Sequence, residues 1–326
     1  MNKVSDFILI DMLAPKSHAN FNSFFLHHFD NSILYTSLPL KNEMSKFRGV
    51  SVRLISNFLL GSNRFIQVFL WSFWIVVLVL KRKRVLILSY DVLTFPALCV
   101  LSAIVPVYVF EHNTLPERHH PRYKLYSLLN RIPNRITRLC LTKGAVTLLA
   151  DYTLKARYVG HPFRTSLQMG WIKPTSLVDR KTSVFCPSGG GSLRLICEFA
   201  GLHPDITFYC KGSTFSDCID FPENIILLEF LEDYEYMAFV VSCSFVLLAV
   251  DYGSRASGPF YDAACLNNNI IFSDGDFSKE CIRLFGENCN IQTVNDFDSS
   301  RVGTPNPDYF RSQNENIVNA FIEVLS

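Results

Sequence analysis

An α/β fold in two halves, each built around a parallel sheet, is what this 326-residue sequence predicts. Three observations carry the prediction. Short strand-like apolar runs alternate with longer helix-like stretches along the whole chain, as in βαβ units. The length suits about two domains, and with 49% hydrophobic and 18% charged residues each half can bury a core without disulfides or metal. Gly and Pro number only 15 each, which excludes a collagen-like or low-complexity chain.

In chain order, Phe7-Ile8-Leu9-Ile10-Asp11 is the first predicted strand, followed by a polar loop and a helix from Asn20. Further strands are predicted at 84–91, 105–111 and 144–150, each running into polar residues. In open parallel sheets ligands bind beyond those carboxyl ends. The periodicity fades between 160 and 180, and a second series follows at 183–186, 206–210, 224–228, 245–250 and 269–272. This sets an expected N-terminal domain at 1–172 and a C-terminal domain at 173–311. Ser312 and Glu315 form the S-x-x-E pattern of a capping box, so a closing helix is expected at 312–326, crossing back to the first domain.

Residues 65–80 are the most hydrophobic stretch, and Lys81-Arg82-Lys83-Arg84 follows at once. Sixteen residues of helix reach about 24 Å, short of the ~30 Å bilayer core, so no spanning helix is expected. Two readings stand: a buried crossover helix, or a helix lying at a membrane surface with Trp71, Phe73 and Trp74 at the interface. Net charge is +2, yet residues 1–172 carry 21 Lys and Arg against 8 Asp and Glu, while residues 173–326 carry 10 against 21. The basic half should favour an anionic ligand or surface. The ten cysteines are scattered without zinc spacing, and the N-terminus shows no signal-peptide pattern. A cytoplasmic protein with buried thiols is expected.

Pro187-Ser188-Gly189-Gly190-Gly191-Ser192 lies between a predicted strand and a helix. Backbone amides in such a loop, with a helix N-terminus behind them, suit a phosphate; the alternative is a flexible turn. A nicotinamide fingerprint would need glycine where Arg194 stands and an acidic end to the next strand, which instead ends Tyr209-Cys210-Lys211-Gly212. NAD is therefore disfavoured. The Walker pattern is absent, which argues against an ATPase or kinase.

The most specific segment runs from Val250 to Ile271: a strand end, the loop Asp251-Tyr252-Gly253-Ser254-Arg255-Ala256-Ser257, a helix opened by Gly258-Pro259-Phe260-Tyr261-Asp262, then Asn269-Ile270-Ile271. It resembles the donor-site segment of GT-B glycosyltransferases, particularly the large bacterial family that builds surface polysaccharides such as O-antigen and capsule. The order of elements extends the resemblance over nearly the whole chain. It implies two Rossmann-like domains with parallel sheets facing an interdomain cleft. It also implies a UDP- or GDP-linked sugar as donor, and a saccharide or polyprenyl-pyrophosphate-linked saccharide as acceptor. By the same resemblance Asp262 binds the nucleotide ribose and Gly189, Gly190, Gly191 and Ser192 hold the diphosphate. Lys211 and Arg255 neutralise it, and Ser257 and Gly258 open the helix beside it. The family's paired glutamates would fall at Ser254 and Asp262; Ser254 is no carboxylate, which leaves retaining chemistry in doubt.

Glu111-His112-Asn113 follows a predicted strand, and in resembling enzymes a histidine here touches the donor sugar or the reacting centre. Glu111 could orient its imidazole. In the first loop Asp11, His18 and Asn20 are acceptor-side candidates, with Asp11 or His18 as base. Fixed cations and backbone amides stabilise a departing diphosphate without a metal, so none is expected as cofactor. Competing readings are a nucleotide-sugar epimerase or hydrolase, and a non-catalytic saccharide- or partner-binding protein. Nucleic acid is the least favoured partner, because the apolar neighbour of the basic cluster suits lipid better. Peripheral attachment to the inner face of the cell membrane is the corresponding expectation for location.

Overall fold

The computed structural model describes residues 3–12, 19–45, 49–55, 66, 69–74, 83–112, 122–151, 155–164, 174–175, 178, 182–187, 193–211, 221–229 and 231–326. They fall into two compact units, residues 1–162 with 316–326, and residues 163–315.

The first unit holds nine described strands: β1 (Val4–Ser5), β2 (Phe7–Asp11), β3 (Phe29–Asp30), β4 (Ser32–Thr36), β5 (Val50–Leu54), β6 (Arg84–Ser89), β7 (Val107–Glu111), β8 (Thr137–Cys140) and β9 (Ala156–Tyr158). β1 and β3 form a small parallel pair; the other seven make one parallel sheet in the order β5-β4-β2-β6-β7-β8-β9. The central strands read as continuous apolar runs because both faces are covered; every residue of β2 is buried. The second unit carries β10 (Ser183–Cys186), β11 (Thr207–Lys211), β12 (Ile225–Leu228), β13 (Phe245–Leu248), β14 (Asn269–Phe272) and β15 (Asn290–Thr293), all parallel, in the order β12-β11-β10-β13-β14-β15.

Two expectations are corrected. Residues 144–150 are not a strand: the helix Lys143–Ala150 occupies them. Thr142 caps it by accepting from the Ala145 amide, and Ala145, Leu148 and Leu149 are buried at helical spacing. The strand in this region is β8, just upstream. The closing helix also begins earlier, at Pro307, and runs to Leu325. Asn306 accepts from the Tyr309 amide at 3.2 Å and Pro307 takes the first helical position, so Ser312 lies inside the helix instead of capping it.

The last turns of this helix complete the first unit. Phe321 packs on Phe25, Phe29 and Phe110 with ring centroids 4.6, 5.8 and 5.9 Å apart. Ile317 lies against Gly160, whose φ of +92° favours glycine. Of the basic cluster, Lys83 pairs with Asp6 at 3.6 Å. Arg84 donates to the Leu325 carbonyl at 2.5 Å and the Ser5 carbonyl at 3.0 Å, and its guanidinium stacks on Phe7. These two cations serve the fold; Lys81 and Arg82 lie outside the described residues. Of the interfacial candidates, Trp71 is buried in the core, Trp74 packs partly against it, and Phe73 is 67% exposed together with Phe69 and Ile66. Among the described residues no helix is long and apolar enough to cross a membrane.

A buried ion pair links two neighbouring strands of this unit. Arg138 on β8 donates to Glu111 on β7, and neither side chain is exposed. Tyr90 donates to the same carboxylate at 2.9 Å, and the Arg138 guanidinium rests 4.6 Å from the Phe95 ring. Removing one member of such a pair strands a charge away from water. Glu111→Ala should therefore cost about 3–5 kcal/mol in a urea titration, and Glu111→Gln less, because it keeps an acceptor. A loss below about 1 kcal/mol for the alanine variant, the scale of a surface pair, would mean that water reaches the guanidinium.

Candidate functional site

The predicted donor residues lie in the second unit, at the carboxyl ends of its central strands. β11 and β13 flank β10 in the sheet, so Lys211 at the end of β11, Pro187 just past β10 and the loop after β13 follow one another along one edge. Adjacent strands are about 4.8 Å apart, which puts the outer two ends about 10 Å from each other. That span suits a diphosphate with its ribose. Gly189, Gly190, Gly191 and Ser192 lie outside the described residues; β10 ends before them and the helix Leu193–Leu202 starts after them.

The loop after β13 is held by its own side chains. Asp251 accepts from the Gly253 amide at 2.8 Å, Gly253 takes a φ of +54°, and the Arg255 amide donates to the Tyr252 carbonyl at 2.9 Å. Gly275 lies so close to the Asp251 carboxylate that a Cβ there would overlap it. Arg255 is half-buried, with its Nε 3.4 Å from the Tyr252 carbonyl. Ser257, fully buried, caps the helix Gly258–Leu266 by accepting from the Phe260 amide. A Cβ on Gly258 would meet no heavy atom within 4 Å, so packing does not demand glycine there.

Asp262 follows one turn into this helix. Its side chain is 27% exposed and lies 4.0 Å from Arg164. Burial pushes its carboxyl up to about 6; Arg164 opposes that shift, Asp233 adds to it, and the Tyr236 phenol opposes it. Arg164, Asp233 and Tyr236 are the members of the site that the sequence did not disclose. Arg164 is placed by its neighbour: Phe163 exchanges backbone hydrogen bonds of 2.8 Å with the Asn314 side chain, and its ring packs against Tyr261, Phe285 and Phe310. The Arg164 fork then grips Asp233, the first residue of the helix Asp233–Ser242, at 3.3 and 2.6 Å. No motif marks Arg164, and its partners are about 70 and 100 positions away in the sequence.

In the first unit Asp11 ends β2 and Glu111 ends β7, with β6 between them. Asp11 is completely buried, accepting from Asn22 at 2.8 Å and from Ser89. Glu111 is held by Arg138 and Tyr90 as described, so its carboxylate has a structural task in place of the expected catalytic one. His112, one residue past β7, is half-buried, with its ring edge-on to Phe21 at 4.2 Å and 6.2 Å from the ring of His161. Asn20 is exposed in the first turn of the helix Ala19–Leu26; His18 lies outside the described residues. Among the described residues no three His, Cys, Asp or Glu side chains are grouped to hold a metal ion.

No protein-family profile matches the chain, and no curated protein matches its sequence. Solved structures do match its fold. Trehalose-6-phosphate synthase, OtsA, superposes with a TM-score of 0.57 at 11% identity, covering 98% of this chain and 95% of that one. A Listeria monocytogenes protein whose proposed activity is UDP-N-acetylglucosamine 2-epimerase gives 0.53 at 11% identity, covering 99% and 88%. Arabidopsis thaliana UGT89C1 complexed with UDP-L-rhamnose gives 0.50 at 8% identity, covering 100% and 93%. The chain thus has a GT-B-type fold with two parallel sheets of seven and six strands.

Linkage fixes the sign of the pH effect at Asp262. A carboxyl whose pKa is raised in the folded protein adds stability that is complete below about pH 4 and lost as pH rises through about 6. The Tm of wild type relative to Asp262→Asn should therefore fall between about pH 4 and 7. A difference independent of pH would contradict this environment for Asp262.

Proposed function

We propose that this protein is a nucleotide-sugar-dependent glycosyltransferase. It moves a sugar from a UDP- or GDP-linked donor to a saccharide or lipid-linked saccharide in cell-surface polysaccharide synthesis. The observation that carries the reading is the edge of the second sheet, where Lys211, Arg255, the Ser257-capped helix and a carboxylate held beside Arg164 occur together on a GT-B-type fold. Cations and a helix N-terminus favour a diphosphate, and a carboxylate one turn further accepts ribose hydroxyls. As the bond to the sugar breaks, negative charge grows on the departing phosphate, and those fixed charges stabilise it. His112 is the proposed contact to the reacting centre, with Asn20 on the acceptor side; Asp11, buried and engaged by Asn22 and Ser89, holds the end of its strand.

A donor that binds only the folded protein raises its melting temperature. UDP or GDP should do so and NAD should not. Asp262→Ala is expected to weaken nucleotide affinity about tenfold, the scale of a charge-assisted hydrogen bond. Arg255→Ala should lower kcat more than affinity, because its charge matters most at the departing diphosphate. Variants indistinguishable from wild type would remove this segment from the site.

The competing reading is a nucleotide-sugar epimerase, which the same fold could carry. Product analysis separates the two: a transferase releases nucleoside diphosphate in step with acceptor, whereas an epimerase returns an isomeric nucleotide sugar without net release.

Exposed Ile66, Phe69 and Phe73, within the strongly basic half of the sequence, support a membrane-linked acceptor. The protein should float with anionic liposomes at low salt, and Phe69→Ser with Phe73→Ser should abolish flotation. Equal flotation with neutral liposomes or of the double variant would contradict this attachment.

A further inference from the structure

We propose that Arg164 is a positioning residue of the donor site: its guanidinium, clamped by Asp233 and 4.0 Å from Asp262, holds the Asp262 carboxylate in the ionised form that accepts ribose hydroxyls. The proposal rests on the nucleotide-binding reading of Asp262.

Geometry separates the two contacts that Arg164 makes. With Asp233 it forms a two-point fork at 3.3 and 2.6 Å, which fixes the plane of the guanidinium. With Asp262 the approach is 4.0 Å, too long for a hydrogen bond. Arg164 thus imposes a favourable field on Asp262 without occupying the lone pairs that a ribose would use. Its side chain is only 13% exposed, so solvent screens that field less than at a surface pair.

The other groups facing Asp262 are few. The helix Asp233–Ser242 presents Asp233, a like charge, and Tyr236, whose phenol is kept protonated first by burial and then by the Asp262 carboxylate. Tyr252, in the loop after β13, acts on Tyr236 in the same direction. The adjacent strands Phe245–Leu248 and Asn269–Phe272 offer no ionisable side chain. Arg164 is therefore the one cation acting on Asp262 among these described neighbours, opposed by burial and by Asp233.

The test uses the full chain and whichever of UDP and GDP binds wild type more tightly, with affinity measured by calorimetry from pH 5 to 8. Each variant is expressed as a ratio to wild type, which cancels the nucleotide's own phosphate ionisation near pH 6. Arg164→Gln should weaken binding by a factor that grows with acidity, from about twofold at pH 7 to about ninefold at pH 5 for a one-unit rise in the midpoint. Arg164→Lys should recover most of the loss. Asp233→Asn keeps an acceptor for the fork while removing the like charge, so its ratio should move the opposite way, towards tighter binding as pH falls. A purely structural role for Arg164 would not give opposite pH trends in the Arg164→Gln and Asp233→Asn variants. A constant ratio across pH for Arg164→Gln overturns the proposal, as does an unmoved profile for Asp233→Asn, which decides the matter should Arg164→Gln fail to fold. Asp262→Asn binding nucleotide like wild type at every pH overturns instead the donor-site reading beneath it.

Discussion

Parallel pairing is the constraint from which the rest of the molecule follows. Every strand pair in the seven-stranded and six-stranded sheets is parallel. All strands of a sheet therefore leave by the same edge, and each must return along a face. The faces become covered, which favours apolar residues along the central strands. Polar groups are then pushed to the ends, where the chain turns. Asp11, Glu111, Lys211 and Asp251 all stand at such ends, and what becomes of each charge is decided by its neighbours there.

Those neighbours sort the charges into two kinds. Glu111 is turned inward against Arg138 and fully removed from water, a pair whose loss is costly but whose chemistry is closed. Asp262 is the opposite case. It is only partly enclosed, its charged form is disfavoured by burial, and the nearby guanidinium stops short of hydrogen-bonding it. A carboxylate whose charge burial disfavours detracts from stability at neutral pH and gains from a hydroxyl-bearing ligand, a pattern that fits a binding group. Fold similarity at about 10% identity speaks only to architecture; these local environments carry the assignment.

Continuous apolar strands such as 7–11, 183–186 and 269–272 were legible in the sequence because burial on both faces leaves no alternation to misread. The segment 144–150 was not: its apolar residues satisfy both a short buried strand and a helix face, and the cap at Thr142 decides between them. Strand β15, Asn290–Thr293, carries three polar side chains and sits at a sheet edge, where apolar character is not required. The candidate donor loop stood out in the sequence through its small residues and Arg255. Arg164 did not, because its contacts with Asp233 and Asp262 are of long sequence separation, which no local pattern encodes.

The central claim is that a nucleoside diphosphate binds at the carboxyl edge of the second sheet. Hydrogen–deuterium exchange of the full chain, with and without saturating UDP or GDP, tests it most directly. The account predicts slowed exchange in peptides covering 187–196 and 251–262, the segments it assigns to the ligand. Protection confined to other segments, or none with either nucleotide at saturating concentration, would contradict it.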